Sequence, residues 1–530
     1  MTGLTGTWAL ARLGLRRDRV LIPVCVIALV VLVAGSAKAS IDVFAQSSID
    51  AINATLSSPA IVAMYGPLAN VENPDSLAIF KTYLLGGIGL ALLVFAIVRR
   101  HTRTEEEAGR TELLGAGVVG RNAQLAAAVL LAVGVTVVTA VFSALGLVGS
   151  GLGARGSWAF AVGWIAIGLS FTAVTAVAAQ LTTTSRGCSA WALGVMGLAY
   201  VLRAIGDTST GGLSFLTWLS PFGWAEKVGP FGTDQFAVVL IPLVFTAVLL
   251  AIAGRLLARR DIGAGVLPAR PGPASAPRAL RSPLALAWRL QRGALLGWLI
   301  GYALLGLVLG VVATSVSSLG ASESIQQMLQ KLGGDASTLS DAFLATEVQF
   351  LAIGAAAYGI SAALRLRSEE TDLHLEQVLA TPASRRSVLA GHSLIALAGS
   401  AGLMVLFGLT AAVSYGRQTG GVGAALGHLL PTALATIPAV WICVGLALAI
   451  FGSMPRIVYL AWALLAAFVV VGEFGSLLDL PDALIGVSPF QHGQVLPGGS
   501  LSGAPLLALT AIAALLVVIA GITFRRRDIA

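Results

Sequence analysis

Charged residues and cysteine are both scarce in this 530-residue chain. Only 11% of its residues are charged, 57% are hydrophobic, and the mean hydropathy is +0.88. Soluble globular domains carry about 25% charged residues, so this composition indicates a membrane protein. The three cysteines are too few and too far apart for a disulfide framework or a zinc-binding spacing.

Lysine is almost absent, and no phosphate-binding loop of the kind found in ATP-hydrolysing proteins is present. That loop needs Gly-Lys-Ser/Thr to hold phosphate groups. The four lysines of this chain instead follow Ala37, Phe80, Glu226 and Gln330. We therefore expect no ATP-binding site in this chain.

Carboxylates and histidines are rare inside the apolar runs. An ionisable group at the centre of a bilayer costs about 2.5–3.5 kcal/mol or more, so it is retained for a purpose such as ion transfer. Glu347 and Glu473 lie near the outer ends of predicted helices, and His392 and His428 lie near helix starts. No cluster has the spacing of metal ligands or of a catalytic nucleophile. The sequence thus disfavours an ion-coupled carrier, an enzyme and a metal site.

Long apolar runs are the main feature that is present. Twelve of them reach about 18–25 residues, which suffices to cross a ~30 Å hydrocarbon core as an α-helix. We therefore predict an all-α polytopic membrane protein with about twelve transmembrane helices. The predicted spans are roughly 20–37, 78–98, 123–149, 157–181, 188–206, 235–257, 293–316, 345–366, 389–414, 427–451, 457–473 and 504–524.

The net charge of +8 orients the chain in the membrane. Arginine and lysine concentrate in alternate segments between the predicted spans, and the opposite segments hold seven of the 33 basic residues. By the positive-inside rule the basic segments face the cytoplasm, so both termini are cytoplasmic. The same distribution excludes nucleic acid as a partner. We expect a multi-pass protein of the cell membrane, with its first run kept as a span and not cleaved as a signal peptide.

Several short motifs occur twice in the same order, which predicts an internal duplication. Arg103-Thr104-Glu105-Glu106 recurs 264 positions later as Arg367-Ser368-Glu369-Glu370. The other matched pairs are Trp8 and Arg12 with Trp288 and Arg292, Ser220-Pro221-Phe222 with Ser488-Pro489-Phe490, and Arg259-Arg260-Asp261-Ile262 with Arg526-Arg527-Asp528-Ile529. We predict two parallel six-helix repeats, 1–262 and 284–530, joined by a Pro/Gly-rich cytoplasmic linker at 263–283.

Each copy of the acidic motif is predicted to form a short amphipathic helix at the cytoplasmic membrane surface. Glu105 and Glu112 are seven residues apart, as are Glu369 and Glu376, so each pair shares one helical face. Leucines supply an apolar face, and a basic turn follows each helix. Such a helix can dock into a soluble partner. The alternative is a solvated hairpin whose charges only keep the loop in water.

This layout resembles that of the ABC-2 type permeases. The fused twelve-span form with a Pro-rich middle is similar to actinobacterial permeases that export polyketide antibiotics or other drugs. The resemblance implies that the two short helices are coupling helices, which sit in grooves of separate ATP-binding subunits. The implied docking residues are Glu105, Glu106, Glu112 and Arg121 in the first half and Glu369, Glu370, Glu376 and Arg385 in the second.

The resemblance further implies an ATP-driven exporter. Two copies of a cytoplasmic ATP-binding subunit, as a homodimer or a heterodimer, would hold ATP and Mg²⁺, and this chain would hold no cofactor. Segments around Trp8–Arg19 and Trp288–Arg292 would be connecting helices along the inner leaflet. A cleft between the halves, next to lipid, would take hydrophobic or amphiphilic small molecules. Candidate cleft residues are Phe95, Trp191, Met196, Tyr200, Phe350, Tyr358, Tyr459 and Trp462.

Two other functions stay open on the sequence alone. An ion-gradient-driven secondary transporter would need no ATPase partner, but the shortage of carboxylates in the spans disfavours it. A non-transporting membrane scaffold or sensor is compatible with the same composition.

Overall fold

The computed structural model describes residues 3–44, 56, 59–115, 117, 119–209, 212–267, 275–277, 280–319, 336–474, 481–492 and 503–528. Within these ranges all regular structure is helical, which confirms the predicted fold class. The chain divides into two compact units, Met1–Gly272 and Pro273–Ala530. Residues 268–274 and 278–279 of the predicted linker lie outside the described ranges.

Unit 1 packs around one central helix, α7, which contacts α4, α6, α8, α9 and α10. Small residues allow this packing. The indole of Trp164 on α7 fills the space beside Gly86 on α4, where an added Cβ would lie 2.5 Å from the ring. The helices are α1 Thr7–Arg17, α2 Leu21–Phe44, α3 Pro59–Tyr65, α4 Pro74–Glu107, α5 Arg110–Gly115, α6 Ala123–Gly149, α7 Ala154–Leu181, α8 Ser185–Thr208, α9 Pro221–Val228 and α10 Leu240–Arg259.

Unit 2 has a corresponding central helix, α15, which contacts α12, α14, α16 and α18. Its residues are mostly buried, as those of α7 are in unit 1. The helices are α11 Pro283–Leu319, α12 Ala336–Thr371, α13 His374–Leu379, α14 Arg385–Thr419, α15 Val422–Ser453, α16 Leu460–Phe474, α17 Asp482–Ile485 and α18 Gly503–Arg526.

Helix starts follow the capping residues that the sequence supplies. The side chain of Asn73 accepts a hydrogen bond from the N–H of Asp75 at the start of α4. Ser220 does the same for Phe222 at the start of α9. In both helices a proline occupies the first turn, where its missing N–H has no intrahelical partner to lose. The repeated Ser-Pro-Phe motif is therefore a helix-start signal.

Ten helices of the described residues are long and apolar enough to cross a membrane, or eleven if the bent pair Thr7–Arg17 and Leu21–Ala37 counts as one span. Twelve spans were expected. The remaining run, at 457–473, lies mostly in α16, whose apolar part Leu460–Gly472 is shorter than the other candidate spans. Its beginning is taken up by a 3₁₀ turn at Pro455–Ile457, because proline cannot continue the preceding helix.

The two predicted connecting segments differ in structure. In unit 1, α1 is bent by 71° from Leu21–Ala37 and leaves Trp8 73% exposed. In unit 2, Trp288 and Arg292 instead lie within the single helix α11. A separate amphipathic helix before the first span is thus present in unit 1 and is replaced by a continuous helix in unit 2.

Candidate coupling site

The acidic motif of unit 1 contains a carboxylate that is held from several sides. Arg103 Nη1 lies 3.1 Å from one oxygen of Glu106, and Arg260 Nη2 donates to the same oxygen at 2.8 Å. The backbone N–H of Gly263 donates to the other oxygen at 2.7 Å. Because the side chain of Glu106 is only 7% exposed, these charged donors replace its hydration. Glu106 therefore ties the end of α4 to the segment that follows α10.

Unit 2 builds the same arrangement at Glu370, whose side chain is 3% exposed. Arg367 Nη1 lies 3.1 Å from one carboxylate oxygen, and Arg527 Nη2 pairs with the other. The guanidinium of Arg527 also lies over the rings of Phe451 and Phe524, at 4.9 and 5.4 Å from their centroids. The repeated acidic motif and the repeated Arg-Arg-Asp-Ile motif are thus in direct contact within each unit. We call each pairing a clamp: Glu106–Arg260 in unit 1 and Glu370–Arg527 in unit 2.

The two basic residues that follow the acidic motifs also make equivalent contacts. Arg121 Nη2 donates to the carbonyl of Leu257 at 3.1 Å and to that of Arg260. Arg385 Nη1 donates to the carbonyl of Arg525 at 3.3 Å and to that of Arg527. These carbonyls lie at the ends of α10 and α18, where the last turn of a helix has no intrahelical donors. Arg121 and Arg385 therefore cap the last helix of their units.

Glu105 and Glu369 also pair within their own units. Glu105 pairs with Arg17 of α1 and lies 3.3 Å from Arg110 of α5. Glu369 pairs with Arg365 and lies 3.4 Å from His374. The pair to Arg17 links α1 to the end of α4, so the bent N-terminal helix and the acidic motif of unit 1 form one network.

Glu112 and Glu376 are the exposed acidic members of the predicted docking set, on α5 and α13. On α13 the side chain of Leu375 is buried at 2% exposure while Glu376 faces solvent, which matches the predicted amphipathic pattern. Leu373, just before α13, is 57% exposed. Two short helices, which follow the clamped ends of α4 and α12, thus each present a carboxylate outward. That docking role stays a prediction.

A cavity of about 90 Å³ lies beside the clamp of unit 1. It is bounded by the clamp itself and by α1, α6 and α10. Its polar lining includes Glu106, Arg121, Gln124, Gln180 and Arg260. Arg260 Nε donates to Gln180 Oε1 at 2.9 Å, which carries the network on to α7 at the centre of the unit.

The candidate cleft residues fall into two groups within their units. Phe95, Met196 and Tyr358 are buried, and the Tyr200 hydroxyl donates to the carbonyl of Met64 at 2.9 Å. The residues exposed on the surface of a unit are Trp191, Phe350, Tyr459 and Trp462. Trp191 lies on α8, Phe350 on α12 and Trp462 on α16, and Tyr459 directly precedes α16. These side chains place exposed aromatic surface on each of the three helices.

The sequence reading missed a buried charge cluster in unit 1. Arg203 and Asp207 on α8 meet Glu226 on α9, and the three side chains are 0, 2 and 6% exposed. The i,i+4 spacing of Arg203 and Asp207 near a helix end is a signal that the sequence contains. The sequence does not show that Glu226 belongs to this cluster, because α9 packs against α8 only in the folded unit.

In the described part of the chain, ten or eleven long apolar helices form two units with arginine-capped last helices, which defines a polytopic α-helical membrane protein. The chain belongs to the family of multidrug efflux system permeases. It is 41% identical over 532 residues to the "Multidrug efflux system permease protein Rv1217c" of Mycobacterium tuberculosis (strain ATCC 25618 / H37Rv), covering 100% of this chain and 96% of that protein. Residues 280–525 match the family described as "Multidrug efflux system permease Rv1217c, C-terminal domain". The predicted resemblance to efflux permeases is confirmed.

Proposed function

We propose that this chain is the transmembrane permease subunit of an ATP-driven ABC exporter of hydrophobic or amphiphilic compounds such as antibiotics and other drugs. The observation that carries the proposal is the 41% identity to an efflux permease along the whole chain. Two copies of a separate ATP-binding subunit, as a homodimer or heterodimer, hold ATP and Mg²⁺. The permease lies in the cell membrane with both termini in the cytoplasm, in keeping with its basic segments.

The clamps supply a route by which a docked subunit can move the membrane helices. A force on α5 reaches α4 directly and reaches the end of α10 through Glu106 and Arg260. In unit 2 the same force reaches the end of α18 through Glu370 and Arg527. Buried ion pairs are costly to separate, so each short helix and last helix move together. Glu112 and Glu376 contact the partner, and the other docking candidates brace the contact from behind.

The substrate contacts in this proposal are the exposed aromatic side chains. Trp191, Phe350, Tyr459 and Trp462 offer apolar and π surface, and none of the four carries a charge. Such a surface favours hydrophobic or amphiphilic compounds over sugars and inorganic ions. These aromatic side chains are also suited to contact lipid. Chemical labelling of the four positions distinguishes the two roles, because bound substrate protects a substrate-contacting position from the label and leaves a lipid-contacting position unchanged.

The two alternative functions make different demands on energy. A secondary transporter moves its substrate under an ion gradient without ATP, and a scaffold or sensor moves none. In vesicles that contain the permease and its ATP-binding subunit, an exporter shows ATP-dependent substrate movement and drug-stimulated ATP hydrolysis. Movement by the permease alone under a proton gradient would overturn the proposal.

Charge reversal on the exposed carboxylates tests the docking role. Glu112→Arg combined with Glu376→Arg should weaken binding of the ATP-binding subunit by about tenfold or more, because two attractive contacts become repulsive. The measurement is affinity of the purified subunit for permease in nanodiscs. Glu72→Arg is the matched control, since Glu72 is exposed but lies in a segment predicted to face away from the cytoplasm. Equal binding by the double variant and the control would reject this assignment.

A further inference from the structure

The charge cluster of unit 1 contains one more carboxylate than cations. Nη1 of Arg203 lies 3.2 Å from Glu226 and 3.6 Å from Asp207. With one guanidinium and two carboxylates, the cluster carries a net charge of −1 if both acids are ionised. An unbalanced charge at 6% exposure or less is expensive, because water no longer solvates it.

One oxygen of each carboxyl group lacks a hydrogen-bond donor, whereas Glu226 Oε1 accepts from Arg203 Nη1 at 3.2 Å and Asp207 Oδ1 accepts from the Thr217 hydroxyl at 2.7 Å. Glu226 Oε2 and Asp207 Oδ2 are buried and accept no hydrogen bond. Both carboxyl groups lie beside the same Arg203 Nη1, and burial followed by the repulsion from Asp207 raises the pKa of Glu226 well above 4.5, against the opposing charges of Arg203 and Lys227. Two neighbouring carboxyl groups cannot hydrogen-bond to each other unless one of them carries a proton. A single shared proton supplies the missing donor and cancels the excess charge.

The nearby tyrosine hydroxyl groups do not supply a donor to Glu226 Oε2 or Asp207 Oδ2. The hydroxyl of Tyr83 donates to the carbonyl of Ala225 at 2.6 Å, and that of Tyr200 donates to the carbonyl of Met64 at 2.9 Å. Tyr65 is the remaining phenol beside the small cavity of about 30 Å³ at Glu226. The charged and titratable groups near Glu226 are therefore Arg203, Asp207, Lys227 and these three tyrosines. Among the described residues, Arg203 is the cation within ion-pairing distance of the two carboxylates, and Lys227 lies beyond that distance.

A metal cation fits this site poorly. The guanidinium of Arg203 already lies between the two carboxylates and repels a second cation. No group of three or more histidine, cysteine or acidic side chains is placed to hold a metal ion in the described part of the chain. The adjoining cavity has room for about one water molecule. A proton meets the charge requirement without needing space.

The short helix α3 seals the cluster. Arg203 Nη2 donates to the carbonyl of Ala63 at 2.6 Å, and its Nη1 donates to that of Val62 at 3.2 Å. Gly66, which follows α3 with a φ of +91°, lies so close that a Cβ there would be 2.4 Å from Glu226 Oε1. Arginine thus holds both the carboxyl pair and the end of α3, and glycine permits the contact.

We propose that Asp207 and Glu226 form a proton-binding site in unit 1, in which Arg203 balances the charge and α3 excludes water. The site takes up one proton and releases it as a proton, with no other bond made or broken. It is a property of unit 1 alone and does not depend on the transport proposal. In unit 2 no Arg203–Asp207–Glu226 counterpart occurs among the described residues.

Infrared difference spectroscopy of the full chain in nanodiscs, titrated with pH, tests the site directly. The wild type should show the carbonyl band of a buried protonated carboxylic acid near neutral pH. Glu226→Gln should abolish the titrating band. Asp207→Asn should keep it but move its midpoint to lower pH by more than about one unit, because a neighbouring negative charge is removed. Glu72→Gln is the matched control for an exposed carboxylate and should leave the band unchanged.

Three results would overturn the proposal. The first is the same band in Glu226→Gln as in the wild type. The second is no such band in the wild type at any pH. The third is loss of the band at constant pH on adding sodium or potassium chloride, which would assign the site to a metal cation. If Glu226→Gln does not fold, the test rests on the pH midpoint of the carbonyl band in Asp207→Asn. A midpoint equal to that of the wild type would contradict a shared proton.

Discussion

At the residue scale, the two acidic motifs contain the same backbone turn with different side chains. Gly109 has a φ of +71°, and Leu373, 264 positions later, has a φ of +60°. A left-handed conformation costs a residue with a Cβ about 1–2 kcal/mol, whereas glycine adopts it freely. Leu373 is 57% exposed, so burial does not offset the strain. Strained residues of this kind often serve a binding surface, which supports a contact between Leu373 and the partner.

Substituting Leu373 and Gly109 separately distinguishes the effect of backbone strain on stability from an effect on partner binding. Leu373→Gly should leave the melting temperature unchanged or raise it, yet weaken binding of the ATP-binding subunit, because an exposed apolar contact is lost. Gly109→Leu should lower stability by about 1 kcal/mol. No heavy atom lies within 4 Å of a Cβ built on Gly109, so backbone strain is the only cost expected there. Unchanged binding by Leu373→Gly would show that the leucine has no docking role.

Single residues also show which contacts the sequence could predict and which it could not. The basic segments and the acidic repeats could be identified directly from the sequence, because charge and spacing are local properties. The burial of Glu106 could not, because its partner Arg260 is 154 residues away in the chain. For the same reason a search of the spans for carboxylates missed Glu226, which lies in a separate short helix and enters the cluster only by packing against α8.

At the scale of elements, the clamps hold each acidic motif to the last helix of its unit. Arg260→Gln should destabilise unit 1 by about 3 kcal/mol, because it leaves the buried Glu106 with fewer charged donors. Adding Glu106→Gln should recover part of that loss, because it removes the unpaired charge. Thermal unfolding of the single and double variants forms the double-mutant cycle.

The neighbouring arginine provides the control for this cycle. Arg259 is exposed, whereas Arg260 is buried in the clamp. Arg259→Gln should therefore change the melting temperature little. Equal losses for Arg259→Gln and Arg260→Gln, or no recovery in the double variant, would mean that the clamp does not stabilise the end of α10.

Helix existence was more predictable than helix continuity. Apolar runs of 20 or more residues give long helices in both units because length and hydropathy act locally. The repeated Trp and Arg motif at the start of each unit does not adopt the same helix geometry in the two units. Residues around Trp8 form a helix bent away from α2, whereas those around Trp288 continue into α11. The bend in unit 1 is stabilised by Asp18, which pairs with Arg100 at 3.1 Å and His101 at 2.6 Å, and such a contact is invisible to a local pattern.

At the scale of the whole molecule, the two candidate coupling sites are similar in their clamps and different in their exposed surfaces. The clamp pairs Glu106–Arg260 and Glu370–Arg527 join corresponding residues, with both Nη atoms of Arg260 on the carboxylate in unit 1 and Nη2 of Arg527 on it in unit 2. Glu105 has two exposed partners, Arg17 and Arg110, whereas the exposed partner of Glu369 is His374. A heterodimeric ATPase would use this difference to bind in one orientation, because each subunit meets a distinct surface.

Single charge reversals test whether the two sites act together. Glu112→Arg alone or Glu376→Arg alone should each reduce ATP-driven efflux by more than about tenfold, because one silent site stops a shared cycle. Each variant should still bind the ATP-binding subunit through its intact site, with an affinity between those of the wild type and the double variant. Efflux of a drug from vesicles and subunit binding, measured on the same preparations, give the comparison. If each reversal halves efflux and no more, the two sites work independently, and the expectation that loss of one site stops the whole transport cycle is wrong.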